Sequence, residues 1–274
     1  MVITQPPSNI IRGFQTSIPK ERMQNFRRAV QGNEARAVEL YILDSELASR
    51  IHGLFRHVEI TLRESMHRQL THLLGPKWYA SDSWLKDSLF AEQLNTTLKS
   101  VRIAKGNAAL TFEQIPAGDI IAGLNLGAWI NLLSQGDYDN GVPVRYEQNI
   151  WIPDNGLHAA FQARTGFDTS PSRNNVHQLA QRFNWARNRI NHCEPVVFGF
   201  PQTGVMKGPN KLPLRRSAHG IVEDICKLFG YLYPQQEHWL RDNSDLNALL
   251  KNPLLARSEN YIKGTKRYYW SAPT

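Results

Sequence analysis

From Val38 to Leu73 apolar residues return at three- and four-residue steps, through Leu40, Tyr41, Leu47, Ile51, Leu54, Phe55, Val58, Leu62, Met66 and Leu70. That spacing is the stripe of an amphipathic helix. Asn33 stands where a cap would, and Gly75-Pro76 is a strong stop. The run predicts one helix roughly 60 Å long. Beside the apolar stripe lies a polar one: His52, Arg56, Glu59, Arg63 and His67. Taken alone, such a stripe reads as a solvated face.

The same reading divides the rest of the chain into helices. Residues 1–16 read as a flexible arm with Pro6-Pro7, and Ser17 reads as the cap of a helix with Pro19 in its first turn, ending at Gly32. Trp78 to Trp84 reads as an aromatic connection and Leu85 to Lys105 as a helix. One helix is expected after Pro116 through Leu133, then a turn-rich loop from Gln135 to Val144. Asn149 to Arg164 is short and helical after Pro153. Ser170 and Pro171 open a helix whose inward stripe is Val176, Leu179, Phe183, Ala186 and Ile190. Pro195 requires that helix to end by Cys193 or Glu194. Gly199 to Pro213 reads as a loop, Arg215 to Gly230 as a helix, and short helices follow Pro234 and Ser244. No strand pattern is visible. The expected fold is all-α: a bundle with one very long N-terminal helix over residues 17–200, and a small helical extension over 201–274 with a basic, aromatic tail.

Composition narrows the function. No apolar run approaches the roughly 18 residues that span a bilayer, and the N-terminus lacks a signal-peptide layout. Cys193 and Cys226 are the only cysteines, which points to a reducing cytoplasm and away from a disulfide scaffold or a cysteine-based zinc site. His67 and His72 have no acidic companions at ligand spacing, so no metal or cofactor is expected. The net charge of +8 favours a polyanionic partner such as RNA.

The chemistry concentrates in Trp185-Ala-Arg-Asn-Arg-Ile-Asn-His-Cys-Glu-Pro195. Cleaving RNA without a metal needs a base for the ribose 2′-hydroxyl, a cation for the phosphorane and an acid for the leaving oxygen. Histidine suits the proton transfers, and the planar fork of arginine suits the phosphate. His192 and Arg187 supply both types, with Asn188 beside the arginine. Arg187 and His192 are five residues apart, about 140° around a regular helix. Either the helix loosens near Asn191, or a second subunit completes the site. A two-fold homodimer would also supply the second histidine that acid and base together require. The bare pattern of an arginine, four to six residues and a histidine is not distinctive, because Arg50 and His57 also fit it. The alternative is a helix-terminal histidine beside an exposed arginine.

These residues resemble the abortive-infection (Abi-like) proteins within the HEPN superfamily. That family's helix closes with Arg-Asn-Arg-Ile-Ala-His-His-Glu-Pro, against Arg187-Asn-Arg-Ile-Asn-His-Cys-Glu-Pro195 here; the departures are Asn191 and Cys193. Arg36-Ala-Val-Glu-Leu-Tyr41 resembles the family's entry to its long helix, with Leu43-Asp44 in place of the usual Trp-Asn. Glu59-Ile-Thr-Leu-Arg63 resembles its Glu-x-x-x-Arg-Asn signature, with Glu64 for Asn. Leu126-Gly-Ala-Trp129 and Ile150-Trp151 resemble later blocks. The likeness covers residues 17 to 200. It implies an all-α homodimer with a composite site and a metal-independent endoribonuclease that leaves 2′,3′-cyclic phosphate ends. It also implies a toxin-like, anti-phage role, with an antitoxin or regulatory partner. Arg187, His192 and Asn188 become catalytic, with Glu59, Arg63 and Glu194 in support.

Arg56, Arg189 and the basic loop Lys207, Lys211, Arg215 and Arg216 are further candidates to track an RNA backbone, the plainer reading of the loop being solvated charge. The tail Lys263, Lys266, Arg267, Tyr268, Tyr269 and Trp270 mixes cations with stacking rings. The competing expectation is a non-catalytic helical module that binds RNA or a protein and keeps the motif for structure.

Overall fold

The structure, a computed structural model, describes residues 7–80, 89–139, 142–167, 169–207, 212–264 and 269–271. The fold is all-α with small accessory sheets. Among the described residues no helix is long and apolar enough to cross a membrane.

The long helix is present. After α1 (Ser8–Ser17) and α2 (Lys20–Ala29) comes α3, Glu34–Leu74, of 41 residues. Asn33 starts it by accepting the Arg36 N–H on Oδ1 at 3.0 Å. Gly75, at φ +89°, ends it, a conformation that glycine adopts without a Cβ clash. The predicted inward stripe from Val38 to Leu70 is buried apart from Tyr41, which is half-buried.

Several boundaries differ from expectation. Residues 8–16 are helical, not an arm. Ser17 closes α1, its hydroxyl donating back to the Gly13 carbonyl at 2.8 Å, while Pro19 takes the N-cap position of α2. A short hydroxyl can satisfy either helix end, which is why the cap assignment failed. The stretch after Pro116 is two helices, α5 (Ala117–Gly123) and α6 (Leu126–Asn131), because the Asn125 side chain caps a fresh start at the Ala128 N–H, 2.8 Å away. Between α3 and α5, α4 runs over Leu89–Ala104; Trp84 and Leu85 lie outside the described residues. A short hairpin, β1 (Asp137–Asp139) with β2 (Val142–Val144), occupies the expected loop. The short α7 (Gly156–Ala160) precedes α8, Arg173–Asn191, which is capped by the Ser172 hydroxyl rather than Ser170.

The largest correction lies beyond Gly199. The expected loop and the first residues of the expected helix form β3 (Phe200–Lys207) and β4 (Leu212–Arg216), an antiparallel pair with a bulge between Pro201 and Met206. β5 (Tyr269–Ser271) joins β4 in parallel. Helices α9 (Ala218–Leu232), α10 (Glu237–Arg241), α11 (Ser244–Leu250) and α12 (Pro253–Gly264) complete the chain.

The chain divides into two compact units. The first comprises Met1–Arg56, Trp185–Cys226 and His238–Thr274; the second comprises His57–Asn184 and Lys227–Glu237. In the first, Phe26 packs against Tyr41 and Phe198 at ring separations of 5.5 and 5.2 Å, and Phe198 reaches Tyr261 of α12. In the second, Trp78 anchors a cluster with Phe90 and Trp129, each 5.9 Å away. His67 sits at its edge and accepts the Trp78 indole N–H on Nδ1 at 2.9 Å. Burial pushes the His67 ring below its ordinary pKa, so it serves this cluster as a neutral acceptor.

Candidate functional site

The C-terminal end of α8 belongs to the first unit. Helical bonding holds through His192, whose N–H reaches the Asn188 carbonyl at 2.9 Å. The chain then turns. Cys193 N–H bonds to Ile190 O at 2.9 Å and Glu194 N–H to Arg189 O at 3.0 Å, with Cys193 at φ +53°. This pair of bonds is a Schellman closure, with His192 at the C-cap and Cys193 in the left-handed position. The helix therefore does not loosen before Asn191. His192 lies above Asn188, four residues back, while Arg187 lies beside Asn188, its Nη1 3.5 Å from Asn188 Oδ1. His192 is exposed; Arg187 and Asn188 are half-buried.

The segment after the turn is held from three other helices. Asp44, in the N-terminal part of α3, accepts the Val196 N–H at 2.6 Å and the Val197 N–H at 2.9 Å on one oxygen. The Ser258 hydroxyl of α12 donates to Val197 O at 2.6 Å. Arg22 of α2 donates to the Cys193 carbonyl. Within the turn, Arg189 pairs with Glu194 and donates from Nε to Pro195 O at 2.8 Å. Burial raises the Asp44 carboxyl to about 6, against the opposing pull of its two backbone bonds and of Arg189 and Arg22.

No family model, curated protein or solved structure matches the chain.

Arg187 and Asn188 are in contact, and His192 lies one turn beyond Asn188, while Arg187 points in a different direction from His192. Glu194 pairs with Arg189 within the turn. Arg189 itself is corrected: its guanidinium is engaged inside the turn, not offered outward as a phosphate contact. Arg215 is also corrected. It is 3% exposed, on β4, and donates to the Phe198 and Gly199 carbonyls at 2.7 Å each. Arg216 grips Asp224 with two bonds of 2.7 and 2.9 Å. Neither belongs to a solvated basic loop, because pairing in the sheet turns both toward acceptors that a loop would lack. Lys207 lies on β3, and Lys211, Lys266, Arg267 and Tyr268 lie outside the described residues.

Glu59 and Arg63 belong to the second unit. They form an i,i+4 ion pair, and Arg63 Nη1 donates to the Ala122 carbonyl at 3.0 Å, where α5 ends. Their geometry there is that of a brace on a helix terminus. Arg56 is exposed in the first unit. Of the other Arg/His pair that fits the pattern, Arg50 pairs with Asp245 at 2.9 Å, and His57 follows seven residues later on α3. Arg50 and Asp245 line a cavity of about 700 Å³ with Ser45, Ser49 and Lys251, which none of the candidate site residues enters. Among the described residues no three His, Cys, Asp or Glu side chains gather as a metal site.

Sequence reasoning missed Asp44, Arg22 and Ser258. Asp44 had a signal: an acidic residue on the stripe side of α3, between Leu40 and Leu47, where an unpaired charge would be costly.

Proposed function

We propose that the chain is a metal-independent endoribonuclease of HEPN type, acting as a toxin-like or anti-phage effector in the cytoplasm. The observation that carries this reading is the exposed His192 at the closed end of α8, one turn above Asn188 and next to a braced turn. Its side chain makes none of the described bonds that hold that turn, so a purely structural role leaves the ring without a task. In the proposed reaction one His192 takes the proton of the ribose 2′-hydroxyl. The 2′-oxygen attacks phosphorus, and the bond to the 5′-oxygen breaks. A second histidine protonates that oxygen, giving a 2′,3′-cyclic phosphate and a 5′-hydroxyl end. Arg187 donates to the non-bridging oxygens as their charge grows, with Asn188 fixing the guanidinium.

The last turns of α8 carry a single histidine in their own sequence, His192, and regular helix to Asn191 keeps Arg187 and His192 on diverging directions. Both facts support a homodimer with a composite site.

The test is cleavage of single-stranded RNA by purified protein in excess chelator. Wild type should leave cyclic phosphate ends. His192→Ala and Arg187→Ala should each lower the rate by about 10²-fold or more while retaining the helical circular-dichroism spectrum. Intact RNA with wild type, or undiminished cleavage by folded His192→Ala, would overturn the reading.

A further inference from the structure

Asp44 is 6% exposed, inside a helix, and carries a carboxyl that burial disfavours in its charged form. A group kept there needs a reason, and its contacts supply one. Two successive N–H groups reach one oxygen only if the backbone curls around it. Here that curl is the exit from α8, beginning four residues after His192. The charged groups facing Asp44 are Arg22 from α2 and Arg189 from α8. Each also bonds to the turn itself, Arg22 at the Cys193 carbonyl and Arg189 at Glu194 and the Pro195 carbonyl. From α12 the uncharged Ser258 hydroxyl holds the Val197 carbonyl.

We propose that Asp44 is the positioning residue of the Arg187–His192 site, fixing through the Val196 and Val197 amides the turn on which His192 sits. The inference rests on the ribonuclease reading of that site. Helix ends fray by default, and a catalytic side chain on a fraying end loses its alignment. A displacement of about 1 Å costs about 10²-fold in rate. Asp44 removes that freedom without touching the substrate. It works through the backbone beyond His192.

The experiment uses the full chain with Asp44→Ala and Asp44→Asn, read by hydrogen exchange at the Val196 and Val197 amides and by steady-state RNA cleavage. In Asp44→Ala both amides should exchange about tenfold faster or more. kcat should fall about 10- to 100-fold, with KM within about twofold of wild type because no substrate contact is lost. Asp44→Asn keeps an oxygen acceptor and should restore both readouts. If Asp44→Ala does not fold, Asp44→Leu, close in volume and without an acceptor, replaces it with the same two readouts and the same expected losses. Unchanged protection in the folded variant that lacks an acceptor would overturn the proposal. So would full activity of Asp44→Ala beside an inactive His192→Ala. If His192→Ala cleaves normally, the ribonuclease reading fails instead, and exchange at the two amides alone decides whether Asp44 holds the turn.

Discussion

Asp44 Oδ1 lies 2.6 Å from the Val196 amide nitrogen across 152 residues of sequence. The contact is short and charge-assisted, yet burial outweighs it: the carboxyl titrates at about 6 rather than 3.8. A folded pKa above the unfolded one means that the contribution to stability is present below about pH 4 and is lost as pH rises through about 6. At pH 7.5 the ionised group then costs up to about 3 kcal/mol relative to an unshifted carboxyl. Asp44→Asn should therefore raise the thermal midpoint at pH 7.5, and the gap to wild type should close toward pH 4. Thermal unfolding across that range checks the sign. A wild type that gains stability over the Asn variant as pH rises would show that the two amide bonds outweigh desolvation.

The turn stores strain next to this contact. Cys193 adopts φ +53°, a conformation that costs a side-chain-bearing residue about 1 kcal/mol and glycine almost nothing. Cys193 is exposed and its thiol is free. Cys193→Gly should raise stability by about 1 kcal/mol and leave RNA cleavage within about twofold, measured by denaturant unfolding and by the chelator assay.

Arg63 presents a contrast. Its side chain is 15% exposed, pairs with Glu59, and holds the Ala122 carbonyl at the end of α5. Arg63→Ala removes one ion-pair partner of the part-buried Glu59 and the donor to the Ala122 carbonyl, at a cost of about 2 kcal/mol. The expected result is a lower melting midpoint with kcat nearly unchanged at temperatures where the variant is folded. A drop in kcat with an unchanged midpoint would place Arg63 in the site rather than in the scaffold.

These residues also mark where sequence was legible. α3 could be read because its signals are local: the Asn33 cap, an unbroken three-four stripe and Gly75. The exit from α8 could be read because Pro195 disfavours helix before it. β3 and β4 were not legible. Pro201, Gly204 and Pro213 are loop residues by local rules, and the ladder that overrides them joins Arg215 to Pro201 and to the distant Trp270. Arg215 was misplaced for the same reason, since its acceptors exist only once that ladder forms. Arg187, Asn188 and His192 were legible as a motif within six residues. Asp44 and Ser258 were not, because each acts on that motif from another helix, more than sixty residues away in sequence.

The shared-site reading has a consequence in solution. Regular α8 geometry to Asn191 turns Arg187 and His192 away from each other, and the proposed reaction takes one histidine from each chain for acid and base. Specific activity should therefore fall as the protein is diluted through its dimer dissociation range, with both quantities followed on the same samples by cleavage rate and analytical ultracentrifugation. His192→Ala chains mixed in excess with wild type should poison activity beyond simple dilution, because most wild-type chains would then face a partner without the ring. A monomer that cleaves at the full rate, or activity that scales linearly with the wild-type fraction, would assign both proton transfers to a single chain. That outcome would require a second acid near His192, and the exposed Glu194, two residues on, would be the first to replace with Gln.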